Sequence, residues 1–337
     1  MNTRARLAIL AGVVAVVLVA TGAYVLRVQH RQANAAPVAA RADLSTVLAA
    51  PHLVFRNTAI GSELGKVAVV PLSAPSGPRA FTGASCERIY ATGSHEICLY
   101  ARRGLSNTYK AQLLGPDFQT VTDVPLSGLP SRARMSRDGS LTATTTFVFG
   151  DSYANVGQFS TRTLVTRLDG KQTADLEQFQ LYADGKRVTA ADRNFWGVTF
   201  ADDDKFYATA ASGGKTWLVV GSLSAKRMTS LRRDVECPSL SPDRTRIAFK
   251  KHGDLPPGQW RLAVYDLRTH TETLLAETRS VDDQVEWLDD DTVLYGLPRT
   301  TDAGAATSDI WAVPADGSGT PRTLVADAWS PAVVRPS

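Results

Sequence analysis

Residues 147–159, FVFGDSYANVGQF, include a serine that could act as a nucleophile. Ser152 could attack a carbonyl carbon if a neighbouring base, usually a His held by a carboxylate, removed its hydroxyl proton. The block Phe149-Gly150-Asp151-Ser152 is therefore compatible with acyl-transfer chemistry. The same residues, with Gly150 and Gly157 supplying conformational freedom, are also typical of a polar loop between two strands.

The rest of the sequence gives Ser152 no suitable partners. In one family of serine esterases a similar block lies between a strand and a helix, and an Asp-x-x-His pair near the C-terminus supplies the base. Here the last of five His residues is His270, which follows Asp266 at Asp-x-x-x-His spacing. No GxSxG, Walker, GxGxxG, HExxH or CxxC pattern occurs. We therefore predict a polar loop at Ser152, with no catalytic residue, cofactor or metal.

The charge distribution argues against nucleic-acid binding. The chain has 37 basic and 33 acidic residues, and residues 1–50 hold five Arg and one Asp. Subtraction leaves 32 basic and 32 acidic residues in 51–337, so this part is neutral. A nucleic-acid binder needs a basic surface to displace counterions from phosphate.

The N-terminal segment predicts a membrane anchor. Residues 7–26 are uncharged and follow Arg4 and Arg6, and about 20 such residues match a bilayer core. A cleaved signal peptide is the alternative, with Ala33-Asn34-Ala35 as its cleavage pattern, although the apolar run is long for one. We expect a cytoplasmic segment at 1–6, a transmembrane anchor at 7–26, a linker at 27–50 and an extracytoplasmic domain at 51–337. A short helix within residues 40–50 remains possible.

Two cysteines flank a predicted hairpin. Cys86 and Cys98 enclose ERIYATGSHEI, in which Gly93-Ser94 marks a tight turn that would place the thiols across from each other. A disulfide is expected if the domain is exported, and two buried thiols are the alternative. Cys237 has no evident partner.

A repeated pattern organises residues 51–337. Six apolar segments each end in a tight turn, and equivalent turn positions fall at Leu72, Leu114, Leu168, Leu223, Leu267 and Ala315. The intervals of 42, 54, 55, 44 and 48 residues suit four-stranded propeller blades. A second unit, two strands around an Asp-rich turn, precedes each of these segments from the third onward. The sequence therefore predicts an all-β, six-bladed propeller.

The second unit carries a family resemblance. Ser241-Pro242-Asp243 followed by Ile247-Ala248-Phe249 resembles the repeat of TolB-type β-propellers, and Ser136-Arg137-Asp138-Gly139 is a second copy. Arg244 departs from the pattern, since the family usually has Gly there. The resemblance covers nearly all of 51–337, and the whole chain is similar to membrane-anchored TolB-like proteins of actinobacteria. It implies a propeller that acts through protein partners.

The two ends of the repeat region predict how the ring closes. HLVFRNT at 52–58 lacks a preceding first strand, and AWSPAVV at 328–334 resembles a first strand with no blade after it. We expect the C-terminal strand to complete the first blade, which leaves few exposed edges.

One face of the predicted propeller carries the more unusual residues. It holds the loops that join second to third strands and the loops that join successive blades, and we call it the loop face. Aromatic residues and Arg are common in interfaces. The predicted binding rim is Arg193, Phe195, Trp196, Arg232, Arg233, Arg279, Asp282 and Asp283.

We therefore expect an anchored, extracytoplasmic propeller without enzymatic activity that binds a protein or cell-envelope component through the loop face. The alternative is a propeller enzyme or a small-ligand-binding protein with its site at the mouth of the central channel. The Asp runs at 202–204 and 289–291 should lie at solvated hairpin turns on the opposite face, rather than bind calcium.

Overall fold

The structure is a computed structural model of the 337-residue chain. It describes residues 3–33, 41–102, 104, 107–126, 128–148, 160–168 and 173–336. These residues form two α-helices, one short 3-10 helix (Leu176–Gln178) and 26 strands in six sheets. Strands are labelled in chain order, and each sheet is one blade of a propeller.

The first three blades have four strands each, which follow one another from the central channel outward. Blade 1 contains β26 (Ala328–Val334), β1 (His52–Asn57), β2 (Lys66–Pro71) and β3 (Ala80–Ser85). Blade 2 contains β4 (Arg88–Ala91), β5 (Glu96–Arg102), β6 (Thr108–Leu114) and β7 (Thr120–Pro125). Blade 3 contains β8 (Leu129–Met135), β9 (Leu141–Val148), β10 (Ser160–Arg167) and β11 (Thr173–Asp175).

Blade 4 is larger because a hairpin from the blade 3–4 connection joins its outer edge. It contains β14 (Asn194–Phe200), β15 (Lys205–Ser212), β16 (Lys215–Ser222), β17 (Arg227–Arg233), β12 (Gln180–Ala183) and β13 (Lys186–Val188). Blade 5 contains β18 (Glu236–Leu240), β19 (Arg246–Lys251), β20 (Arg261–Asp266) and β21 (Glu272–Leu274). Blade 6 contains β22 (Glu286–Trp287), β23 (Thr292–Thr300), β24 (Ala306–Pro314) and β25 (Arg322–Val325).

The C-terminal strand closes the ring, as predicted. β26 pairs antiparallel with β1, with His52 opposite Val334 and Asn57 opposite Ala328. Blade 1 thus combines strands from both ends of the domain. The six turn positions found in the sequence all lie at the last residue of a third strand or one residue beyond it.

The hydrophobic core is a ring of contacts between neighbouring blades. Each of six buried clusters joins one pair of adjacent blades. Leu53 and Phe55 of blade 1, for example, pack with Leu294 and Ile310 of blade 6. Burial of apolar area between blades, at about 25 cal/mol per Å², is therefore the main force that keeps the ring closed.

The Ser-x-Asp repeat fixes the turn between first and second strands. Ser241 Oγ donates to Asp243 Oδ1 and accepts from the Arg246 N–H, and Ser136 makes the same bonds with Asp138 and Leu141. Arg244 has φ +62°, close to the +76° of Gly139 in the other copy. The turn therefore requires a left-handed residue, which Arg244 provides at some cost in strain.

The hairpin of β4 and β5 places the two N-terminal cysteines together. Ile89 lies opposite Cys98 in the register, and Cys86 precedes β4. In the structure Cys86 and Cys98 are joined by a disulfide, with a Cα–Cα distance of 5.4 Å. A closed loop of this length stabilises a fold by about 3 kcal/mol in the chain-entropy description. Cys237 is buried with a free thiol.

Two helices precede the propeller, α1 (Thr3–Ala33) and α2 (Leu44–Leu48). Val47 of α2 is buried against blades 1 and 2, so this segment packs with the propeller although it falls within the predicted linker. In the part of the chain that the structure describes, no helix is both long and apolar enough to cross a membrane. The anchor at 7–26 is thus unsupported and stays a prediction.

Candidate functional site at the channel mouth

The loop face opens into a cavity of about 840 Å³, which we call the mouth cavity. Blades 1 to 5 contribute to it, mainly through the first residues of inner strands and the hairpins between second and third strands, and Asp282 adds the connection between blades 5 and 6. Its volume lies within the about 300–1,000 Å³ typical of small-molecule sites. The main lining side chains are Arg88, Arg132, Trp196, Lys215, Glu236, Lys250, His252, Trp260, Asp282 and Trp329.

An ion cluster forms part of the cavity wall. Asp282 Oδ1 accepts from Lys250 Nζ at 2.5 Å and lies 3.4 Å from Arg132 Nη2. The Lys250 side chain is 4% exposed, whereas that of Asp282 is 60% exposed. Desolvation raises the pKa of Asp282, but Lys250, Arg132 and Arg88 outweigh this and hold the pKa below its ordinary value. Asp282 is therefore a charged carboxylate that faces the cavity.

A second carboxylate is held by the long hairpin of blade 5. Glu236 Oε1 accepts from Trp260 Nε1 at 3.0 Å and lies 3.1 Å from His252 Nε2. Lys250 Nζ is 3.6 Å from Glu236 Oε2 and 3.8 Å from the Trp260 ring centroid. One lysine thus links Glu236, Asp282 and the indole, which fixes the positions of all three.

Further ion pairs cross the channel below the cavity. Arg88 of β4 contacts Asp283 at 3.0 Å, and Arg134 of β8 contacts Glu286 of β22 at 2.7 Å. Desolvation lowers the pKa of Arg88 and raises that of Glu286, and the ion-pair partner opposes each shift. Removing one partner of such a pair would leave an uncompensated buried charge. These contacts tie blades 2 and 3 to blade 6.

The backbone on the blade 4–5 side of the cavity is closely packed. Gly197 has φ +66°, and a Cβ at this position would lie 2.7 Å from Cys237 Cα. Glycine is therefore required at 197 for β14 to approach β18. Cys237, which lines the cavity, has φ +51° and donates its backbone N–H to Thr209 Oγ1.

A second cavity of about 540 Å³ adjoins the first. Arg88, Pro130 and Trp329 line both cavities. Arg56, Glu87 and Tyr109 line the second one towards blades 1 and 2. The two cavities together give the loop face an elongated depression rather than an isolated pocket.

Of the eight residues predicted to form a binding rim, Trp196 and Asp282 line the mouth cavity. Phe195 is fully buried in the core between blades 3 and 4. Asp283 is buried beneath the cavity, where it accepts from Arg88 and from the Gly296 N–H.

The predicted arginines do not line the mouth cavity, and a binding role for them stays a prediction. Arg232 and Arg233 are the last two residues of β17, the fourth strand of blade 4. Arg232 pairs with Glu272, and Arg233 pairs with Asp184. Arg279 pairs with Glu277 and lies over Trp311, with its Cζ 3.8 Å from the ring centroid. Arg193 donates to the carbonyls of Ala190 and Phe179. Each arginine has a local partner that holds it.

The Asp runs lie on the face opposite the cavity. The turn at 201–204 joins the end of β14 to the start of β15, a strand's length from Trp196. Asp202 accepts from the N–H groups of Asp204 and Lys205, and Asp204 accepts from Ser222. These carboxylates therefore cap turns. The block at 149–159, with Ser152, lies outside the described residues.

Sequence reasoning missed most of the lining residues. Arg88, Arg132, Glu236 and Lys250 lie within strands, so no loop motif marks them. Their shared signal is position, since each lies near the loop-face end of a first or second strand. His252 and Trp260 belong to the blade 5 hairpin HGDLPPGQW, which is an unusual loop in the sequence.

Comparisons with known proteins agree with the fold. No protein-family model matches the chain, and no curated protein matches it. TolB from Acinetobacter baumannii is 15% identical with a TM-score of 0.54, over 86% of this chain and 68% of that one. A protein assigned as TolB from Agrobacterium tumefaciens is 13% identical with a TM-score of 0.46, over 82% and 88% of the chains. A puromycin-hydrolyzing peptidase from Mycobacterium tuberculosis is 12% identical with a TM-score of 0.49, over 82% and 43%.

The blades and the match to TolB together define the class of protein. The chain is a six-bladed β-propeller with a TolB-like fold. At 15% identity the likeness shows the fold alone, and propellers with similar blades serve both binding and catalysis.

Proposed function

We propose that this protein binds a protein or cell-envelope partner through its loop face, with the mouth cavity as the centre of the site. The observation that carries the proposal is the convergence of five blades and the connection into the sixth on one cavity lined by three indoles and several paired charges. Large aromatic and charged side chains in a concave surface are typical of binding sites. The resemblance to TolB-type propellers adds the expectation of a protein partner.

A binding role suits the carboxylates of the cavity better than a catalytic one. A general base needs a free lone pair within reach of a substrate and a suitable pKa. Glu236 accepts from Trp260 and is close to both His252 and Lys250, while Asp282 has a pKa held below its ordinary value by three cations. Both groups are therefore suited to positioning and hydrogen bonding.

We also propose that the propeller is held outside the cytoplasm by the segment at 7–26. Support comes from the uncharged run of that segment and from the Cys86–Cys98 disulfide, since disulfides persist in oxidising compartments.

A photo-crosslinking amino acid placed at two positions of blade 4 tests the function. Lys215 is exposed and lines the mouth cavity, and Asp203 is exposed in a turn on the opposite face. We expect discrete adducts in intact cells from position 215 and none from position 203. Adducts from position 203 alone would contradict the proposed face.

The same cells test the membrane anchor. Their membrane fraction should retain the full chain and release a chain that lacks residues 1–40.

A further inference from the structure

We propose that the mouth cavity and the adjoining cavity bind a neutral saccharide of at least two sugar units. This inference rests on the proposed function and assigns the chemistry of the partner. It follows from three features: the balance of charge in the cavity, the side chains that remain open to a ligand, and the aromatic walls.

The charges at the site compensate one another. Four cations and four carboxylates lie in the cavity or directly beneath it, namely Arg88, Arg132, Lys215 and Lys250 with Asp192, Glu236, Asp282 and Asp283. A ligand anion that approached Lys250 and Arg132 would also meet Asp282, only 2.5 Å from Lys250 Nζ. A ligand cation that approached Asp282 would meet the same two cations. Like charges brought together in this way are unfavourable, so an uncharged ligand is favoured.

Ligand hydroxyl groups suit a cavity wall on which hydrogen-bond donors such as Lys250 lie next to acceptors such as Asp282. A hydroxyl both donates and accepts, whereas the N–H and C=O of a peptide divide these roles between separate atoms. Asp282 uses Oδ1 for Lys250 and Arg132, and its side chain is 60% exposed. The other oxygen is therefore able to accept from a ligand hydroxyl. Hydrogen bonds to charged groups are stronger than those between neutral groups.

Three of the six tryptophans in the chain line the mouth cavity: Trp196, Trp260 and Trp329. An indole offers a large apolar face, and a sugar ring has a complementary apolar face of C–H groups with hydroxyls around its rim. The N–H of Trp260 already donates to Glu236, so this side chain can contribute only its ring surface. Trp329 also lines the second cavity, which contributes about 540 Å³. A ligand that fills both cavities must therefore be extended.

Calorimetric titration of the full chain with defined probes tests the inference. The neutral probes are chitotetraose, cellotetraose and maltotetraose. Tetragalacturonate is the anionic probe, a chitosan tetramer the cationic probe and a Gly-Ser octapeptide the neutral peptide probe. We expect a neutral tetrasaccharide to bind with a Kd of about 1 mM or lower and more tightly than the other three classes.

A charge change at Asp282 provides the decisive comparison. Asp282→Asn should weaken neutral-saccharide binding by about tenfold, the effect of one lost charge-assisted hydrogen bond, and should strengthen tetragalacturonate binding. Asp282→Glu keeps the carboxylate and should keep most of the affinity. Asp203→Asn, on the opposite face, is the matched control and should change nothing. Circular dichroism would verify that each variant is folded.

Three results would overturn the inference: no neutral saccharide binds, Asp282→Asn leaves saccharide affinity unchanged, or the octapeptide binds more tightly than every sugar. These results are distinct from a failure of the proposed function. If position 215 forms adducts with a protein and no saccharide binds, saccharide binding is refuted, but the location of the binding site on the loop face is still supported. Adducts from position 203 alone would refute the loop-face site itself.

Discussion

Deletion of residues 328–337 should abolish the folded, soluble domain. These residues supply β26, the inner strand of blade 1, which pairs with β1 along its length. They also supply Ala332 and Val334 to the core between blades 1 and 2, and Ala328 to the core between blades 6 and 1. Ser330 Oγ further donates to the Ile89 carbonyl at 2.8 Å. The combined loss should exceed about 5 kcal/mol, which is comparable to the whole stability of a typical domain.

Soluble yield and thermal unfolding measure this effect. The matched control removes only residues 336–337, which follow β26 and leave the Arg335 contact with the Leu288 carbonyl in place. The control should unfold within about 0.5 kcal/mol of the full chain, as is usual for surface changes. A soluble monomer without residues 328–337 that melts at the same temperature would show that β26 does not close the ring.

Stability should fall as the pH rises from about 4.5 to about 9, because burial raises the pKa of two carboxyl groups well above the ordinary value. Glu96 is 3% exposed, and desolvation, with a smaller effect of Asp117, raises its pKa from 4.5 to about 9. Desolvation and Asp175 raise the pKa of Glu177 to about 8. Between the unfolded and folded pKa values the folded protein keeps a proton that the unfolded chain has lost. Each such group can therefore cost up to about 1.4 kcal/mol per pH unit.

Glu96→Gln separates this effect from the other titrations. The variant should match the parent at pH 4.5 and exceed its unfolding free energy by several kcal/mol at pH 8, because glutamine needs no proton to remain neutral. Urea unfolding at the two pH values measures the difference. Asp302→Asn, at an exposed position in a loop of blade 6, is the control and should leave the pH dependence unchanged. Equal stability of Glu96→Gln and the parent at pH 8 would contradict the buried, protonated state of Glu96.

The fold was largely predictable because each blade repeats a local pattern. The strands that end near Leu72 or Leu267 alternate or run apolar between turn residues, and that pattern depends on local geometry. The Ser-x-Asp turns were recognisable because their hydrogen bonds span only a few residues. The extra hairpin of blade 4 was not predicted, although the 55-residue interval from Leu168 to Leu223 indicated additional chain there.

The site was predictable only in part because it forms from distant parts of the chain. Arg132 and Asp282 are 150 positions apart and meet only because blade 3 and the connection between blades 5 and 6 come together at the channel. The sequence pattern places Arg232 in a loop, but the residue belongs to β17, the fourth strand of blade 4, where it pairs with Glu272 of blade 5 and does not line the mouth cavity. Whether a residue near a strand end reaches the channel depends on which of the four strands carries it.

Hydrogen exchange on the complex with the crosslinked partner tests the central claim, that the channel mouth is the binding site. The partner identified from position 215 would be purified and added to the uncrosslinked full chain. The account predicts slower exchange in β8 and in the segments 213–216 and 252–260, which surround the mouth cavity. The turns at 202–204 and 289–291, on the opposite face, should exchange as in the free protein. Protection confined to those turns, with no change around the mouth cavity, would contradict the claim.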